Sequence, residues 1–93
     1  MIGGADVPYL PRGVRSQYDA VRETDVLLGP ERVLMLDPIG KAILVRLDGE
    51  ASVLQVSEGL AATYDAPLDV IAPDVTAFVT DLVEKGFVHV RRP

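Results

Sequence analysis

Apolar and polar positions change rhythm along this chain, first every second residue and then every third or fourth. From Val14 to Val21, the residues Val14, Ser16, Tyr18 and Ala20 fall on one face and Arg15, Gln17, Asp19 and Val21 on the other, the period-two pattern of a half-buried strand. A polar turn at Glu23 to Asp25 leads into a second strand, Val26-Leu27-Leu28, and Gly29-Pro30-Glu31 marks a tight reversal into a third, Arg32 to Leu36. The pattern predicts three antiparallel strands. Val33 to Leu36 are apolar on both faces, so this strand is either covered on both sides or an edge waiting to be covered.

Helical spacing then takes over. Asp37 is placed as an N-cap and Pro38 at the first helical position, where a missing N–H costs nothing, so the first helix starts here and runs to about Leu47 before Asp48-Gly49 ends it. Ser52 and Gln55 form a capping-box pair opening a second helix, with Val53, Val56, Leu60 and Tyr64 on its apolar stripe and Asp65-Ala66-Pro67 as its stop. A third helix runs from Val70 or Pro73 to Lys85, with Gly86 after it. Its core stripe is Ile71, Val75, Phe78 and Leu82, and Val79 and Val83 form an apolar shoulder. Phe87 to Arg91 make a short final strand or an extended tail. The expected class is α+β and winged helix-turn-helix-like, a three-stranded antiparallel sheet followed by a three-helix bundle.

Length bounds the rest. A chain of 93 residues is one domain that buries roughly 60 to 65% of its unfolded surface, which leaves little room for a deep cleft. Residues 1–13 hold Gly3, Gly4, Pro8, Pro11 and Gly13 and are expected to form a flexible arm, with the domain proper at 14–93. Aromatics are 5% and Trp is absent, so the core is aliphatic, with Tyr18 and Tyr64 read as core members whose hydroxyls reach water. A net charge of -5 repels phosphate backbones and anionic lipid, which argues against nucleic-acid and membrane partners. The acidic side of the third helix is a solvated face or a face for a basic partner. With no cysteine, no basic opening and no long apolar run, the chain reads as a cytoplasmic protein.

Catalytic chemistry is hard to find. The single imidazole, His89, sits between Val88 and Val90 near the C-terminus, and no nucleophile, base and oxyanion donor share a motif. There is no His pair at helical spacing and no calcium-type loop, so neither a metal nor a cofactor is expected.

Leu10, Arg15 and Tyr18-Asp19, then Leu27-Leu28 with Pro30-Glu31, Leu36, Ala42-Ile43-Leu44, Asp48-Gly49, the helix from Ser52 to Leu60, Tyr64, and Asp74-Val75 with Phe78, Leu82 and Gly86 together resemble the pyrroloquinoline quinone biosynthesis protein D family, PqqD. The resemblance spans residues 8 to 88. Tyr18 stands where Trp is common, Asp37 where Asn is expected and Ser52 where Thr is common, each keeping an aromatic, a cap or a hydroxyl.

The resemblance implies a peptide chaperone rather than an enzyme. Such a protein binds the precursor peptide PqqA and presents it to PqqE, a radical S-adenosylmethionine enzyme that cross-links a Glu and a Tyr of the peptide. In similar recognition elements the peptide adds as a strand beside the third strand and lies against the third helix. That implies a site at Arg32, Val33, Leu34, Met35 and Leu36, walled by Val75, Val79 and Val83, with Phe78 and Leu82 in the core. On this reading Val79→Asp weakens peptide binding and leaves the fold intact. Two other functions fit the same elements, a winged-helix DNA-associated regulator and a carrier of the quinone product. The open edge also gives an expected monomer some tendency to homodimerise.

Overall fold

A computed structural model describes residues 2–92. The chain is α+β, with the order β1 (Val7–Tyr9), β2 (Arg15–Asp19), β3 (Thr24–Gly29), β4 (Arg32–Met35), α1 (Pro38–Leu44), α2 (Val53–Tyr64), α3 (Leu68–Glu84) and β5 (His89–Arg91). Strands β2, β3 and β4 form one antiparallel sheet in that order, and β1 pairs with β5 in a second.

The expected meander is present but trimmed. Strand β2 stops at Asp19 because that side chain folds the next residues into a turn. Its Oδ1 accepts from the amides of Val21 and Arg22 at 2.9 and 3.1 Å, and its Oδ2 pairs with Arg22 at 2.6 Å. Val21, expected in the strand, is therefore almost fully exposed. Between β3 and β4 the reversal is two residues long, with Pro30 fixing the first φ and Glu31 at a φ of 63°, a left-handed position that costs a side-chain-bearing residue about 1 kcal/mol.

Local chemistry sets the helix starts. Asp37 Oδ1 accepts from the Gly40 amide at 2.6 Å with Pro38 at the first helical position, and Ser52 and Gln55 exchange both capping-box bonds. Helix α1 ends sooner than Leu47, because Arg46 and Leu47 donate to Ile43 and Leu44 in tighter turns. The Asp48 carboxylate then organises the loop by accepting from Glu50 and Ala51, both at 2.9 Å, with Gly49 at a φ of 81°. Helix α3 starts at Leu68, earlier than expected, and keeps Pro73 inside it. Pro73 lacks the N–H that would bond the Asp69 carbonyl, and its exposed position leaves that carbonyl to water.

The largest difference concerns residues 1–13, expected as a flexible arm. Here β1 pairs with β5 in the register Val7 to Arg91 and Tyr9 to His89, and Ile2 and Pro8 are buried. The carbonyls of Gly4 and Asp6 accept from the amides of Leu54 and Val53 at 3.0 and 2.9 Å, satisfying the first two free donors of α2. The N-terminal segment thus completes the cap that Ser52 begins.

The core lies between the β2–β3–β4 sheet and the helices. Leu27, Leu36, Ile43, Leu44, Leu60, Val75, Val79, Leu82 and Phe87 are all buried in it. Tyr18 and Tyr64, expected as core members, are instead 59% and 60% exposed. The described residues contain no helix long and apolar enough to cross a membrane.

Candidate functional site

Among the described residues, strand β4 is bonded on one side only, to β3. Which of its backbone groups are free follows from the register. The Leu36 amide donates to the Asp25 carbonyl at 2.9 Å, and Val26 faces Met35, Leu27 faces Leu34, and Leu28 faces Val33. In an antiparallel ladder the hydrogen-bonded and non-bonded pairs alternate. Leu34 and Arg32 therefore spend their N–H and C=O groups on β3, while those of Val33 and Met35 point out from the sheet.

The side chains follow the same alternation. Leu34 is half-buried and Leu36 buried on the face packed against the core, while Val33 and Met35 stand on the other face, 53% and 65% exposed. Val33 shares its row with Leu28 and Arg15, and Met35 shares its row with Val26 and Gln17. Arg32, exposed at the strand's start, lays its guanidinium over the Phe87 ring with 4.7 Å to the centroid. A Cβ on Gly29 would stand 2.9 Å from that ring, so glycine here lets Phe87 reach the strand.

Residues on and just after α3 come near the two ends of this edge. Near the end of β4, a Cβ on Gly40 would lie 3.0 Å from Phe78. Near its start, Gly29, Pro30 and Arg32 share a small pocket with Lys85, Gly86 and Phe87. Lys85, paired with Asp81 at 2.9 Å, thus stands near the start of the edge, and Phe78 meets α1 beyond its end.

This corrects the expected wall. Val75 and Val79 are 1% and 0% exposed, so they belong to the core, and Val83 is half-buried against it. Phe78, expected in the core, is half-buried at the rim. On the helical wheel Phe78 lies about 60° from Val75 and about 100° from Val79, so the three span one broad apolar face whose buried centre the sequence periodicity does not define. Phe87 and Lys85 carried no sequence signal for this site.

The arrangement offers backbone groups and apolar side chains for binding. Among the described residues no cluster of His, Cys, Asp or Glu could hold a metal ion. His89 is exposed and meets Tyr9 edge-on at 5.9 Å, on the β1–β5 sheet.

Residues 26–88 match the family model for coenzyme PQQ synthesis protein D, PqqD. The chain belongs to the PqqD family. A relative in Bradyrhizobium diazoefficiens, a PqqA binding protein, is 46% identical over 86 residues, covering 92% of this chain and 84% of the relative. In Methylorubrum extorquens the bifunctional coenzyme PQQ synthesis protein C/D is 44% identical over 82 residues, 88% of this chain but 22% of the relative, so there the PqqD part is one piece of a longer protein. The solution NMR structure of the PqqD truncation of Methylobacterium extorquens PqqCD superposes with a TM-score of 0.83 at 40% identity, covering 96% of this chain and 95% of that one. That truncation is described as a functional, stand-alone recognition element for ribosomally synthesised and post-translationally modified peptides. The fold of that recognition element thus extends over nearly the whole of this chain, beyond the residues that the family model matches.

Proposed function

We propose that this chain binds the precursor peptide PqqA as an added strand on the free edge of β4 and presents it, in the cytoplasm, to the radical S-adenosylmethionine enzyme PqqE, catalysing no reaction itself. The observation that carries the reading is the outward pair at Val33 and Met35. Each offers an unpaired N–H and C=O beside an exposed apolar side chain, with Lys85 and Phe87 near the start of the edge. A strand laid there gains backbone hydrogen bonds worth roughly 0.5–1.5 kcal/mol each, while its alternate side chains enter the cleft and supply selectivity.

The relatives' names support the peptide's identity, and the 40% identical recognition element supports peptide recognition by this fold. Arg32 and Arg15 at this end of the sheet suit an acidic side chain of the peptide. We also read the β2–β4 sheet with its three helices as a winged helix-turn-helix variant that uses its wing for peptide instead of its third helix for DNA. A peptide on β4 occupies the edge through which two copies would pair, so the loaded chain is monomeric.

Calorimetric titration with synthetic PqqA tests the first half of the reading, and repeating it with PqqE present tests the second. Saturable one-to-one binding of the peptide, followed by capture of the loaded chain by PqqE, is the expected result. Absence of peptide binding would overturn the reading.

A further inference from the structure

A second apolar site lies away from the β4 edge, where α1 meets the two long helices. Ile39, Ala42, Leu60, Tyr64, Ile71 and Asp74 surround a pocket of about 150 Å³. That is close to the space that holds a benzene ring in an engineered protein cavity. Its lip is apolar and open, with Ile39 and Tyr64 70% and 60% exposed. Asp74 is the one charged group in the lining, and no ion pair engages it among the described residues.

The charge around the pocket is one-sided. After Arg46 no Lys, Arg or His occurs until Lys85, and eight of the chain's fourteen acids fall in between. All nine bases and the remaining six acids belong to the rest of the chain. Helices α2 and α3 are therefore purely anionic up to Glu84, while the rest of the chain taken together carries an excess of bases. The cations that do reach the hairpin are engaged: Arg46 donates to the Thr63 hydroxyl at 2.7 Å, and Lys85 pairs with Asp81 at 2.9 Å. Such a face repels a second copy of itself, nucleic acid and anionic lipid alike. It complements a basic protein surface.

We propose that the α2–α3 hairpin and its pocket dock a basic surface of the enzyme that takes over the bound peptide, with an aliphatic or aromatic side chain of that enzyme seated between Ile39, Tyr64 and Ile71. The identity of the partner rests on the adaptor reading; the chemistry of the surface does not. Helix α1 lies between the two sites. Its Gly40 meets Phe78 at the end of the edge cleft, whereas Ile39, Ala42 and Ile43 line the pocket. Peptide and enzyme can be held at once, as an adaptor requires.

The test uses Asp74→Lys and Ile39→Glu, both exposed positions, in the full chain with PqqA and PqqE as probes. Each variant is expected to bind PqqA within about twofold of the parent, while the affinity of the peptide-loaded chain for PqqE falls about tenfold or more. Added salt weakens the parent's complex with PqqE further than it weakens the peptide complex. Circular dichroism confirms that each variant is folded, and should one fail to fold, Tyr64→Lys takes its place. Unchanged affinity for PqqE in folded variants overturns the docking surface and leaves the adaptor reading standing. A parent chain that binds PqqA but not PqqE overturns the docking surface together with delivery. A parent that binds no PqqA overturns the adaptor reading at its first step.

Discussion

The β4 edge and the α2–α3 hairpin both expose large apolar side chains, yet they invite different partners because of what their backbones have left to give. In the hairpin most N–H and C=O groups are consumed within the helices, and the free donors at the start of α2 are closed by Gly4, Asp6 and Ser52, which leaves only the uncapped start of α3 and the Asp69 carbonyl opposite Pro73. Recognition at the pocket therefore falls to side chains, and selectivity comes from pocket shape and negative charge. At the edge, Val33 and Met35 keep unpaired backbone groups, which any extended chain can match. Selectivity then falls to the cleft beside them. The edge suits a flexible peptide and the hairpin a folded partner.

The largest expected effect separates core from groove on α3. Val79→Asp buries a carboxylate at a position with no exposure, among aliphatic neighbours. It should cost at least ~3 kcal/mol and lower the urea midpoint accordingly. Met35→Asp, at an exposed position, should leave stability within ~0.5 kcal/mol of the parent and weaken peptide binding instead. Urea denaturation of both variants decides the matter. A stable, folded Val79→Asp would return Val79 to the groove.

The next prediction breaks the edge without touching the core. Val33→Pro removes an N–H that points away from β3, so the hairpin survives and PqqA affinity falls about tenfold by titration. Leu34→Pro removes an N–H bonded to β3 and should destabilise the fold by ~3 kcal/mol. Equal peptide affinity in the parent and Val33→Pro would place the peptide elsewhere.

These contrasts show where the sequence was legible. Asp37-Pro38 and Ser52 with Gln55 act within a few residues, so their capping chemistry could be read directly and recurs in the structure, whereas Asp48-Gly49, read as the stop of the first helix, organises the loop after α1 has already ended at Leu44. The β1–β5 pairing joins opposite ends of the chain through short strands, one containing Pro8, and leaves no local periodicity to read. The Arg32–Phe87 stacking is equally non-local. For α3 the apolar face was visible, but its rotation is set by packing in the assembled core. That is why Val79 and Phe78 exchanged places between expectation and structure. The pocket at Ile39, Tyr64 and Ile71 draws on three helices and was invisible for the same reason, although the missing cations between Arg46 and Lys85 stood in the sequence throughout.

A smaller effect is expected at the boundary between the two sites. A Cβ on Gly40 would meet Phe78 and the capping oxygen of Asp37, both at 3.0 Å. Gly40→Ala gains about 1 kcal/mol of helix propensity but loses more through overpacking and the displaced cap, for a net loss of about 1 kcal/mol. Because Phe78 borders the cleft and α1 borders the pocket, this one methyl group should weaken both PqqA and PqqE binding. Substitutions deeper in either site should affect one alone. Paired titrations of Gly40→Ala check this, and loss of only one affinity would show that α1 does not join the two surfaces.

The smallest effect compares two turns, one in each region, whose carboxylates are both held below the usual range by different means. At the end of β2, the hydrogen bond from the Arg22 side chain to Asp19 is the main cause, with the Arg22 amide next. Before α2, Asp48 is lowered chiefly by the Ala51 amide and then the Glu50 amide. Depressed carboxylates stabilise the fold above their unfolded pKa of about 3.9, and that contribution is lost as pH falls through the lower folded values. Stability should therefore be insensitive to these groups from pH ~5 to ~8 and decline only below pH ~4. Salt distinguishes the two. Screening weakens the Arg22 ion pair, so the titration of Asp19 should move up toward the ordinary range as ionic strength rises, whereas the amide-bound Asp48 should hold its position. Carbon-13 NMR titration of the side-chain carboxyls at low and high salt reads both shifts. Equal movement of the two would mean that Asp19, like Asp48, is held by its backbone turn alone.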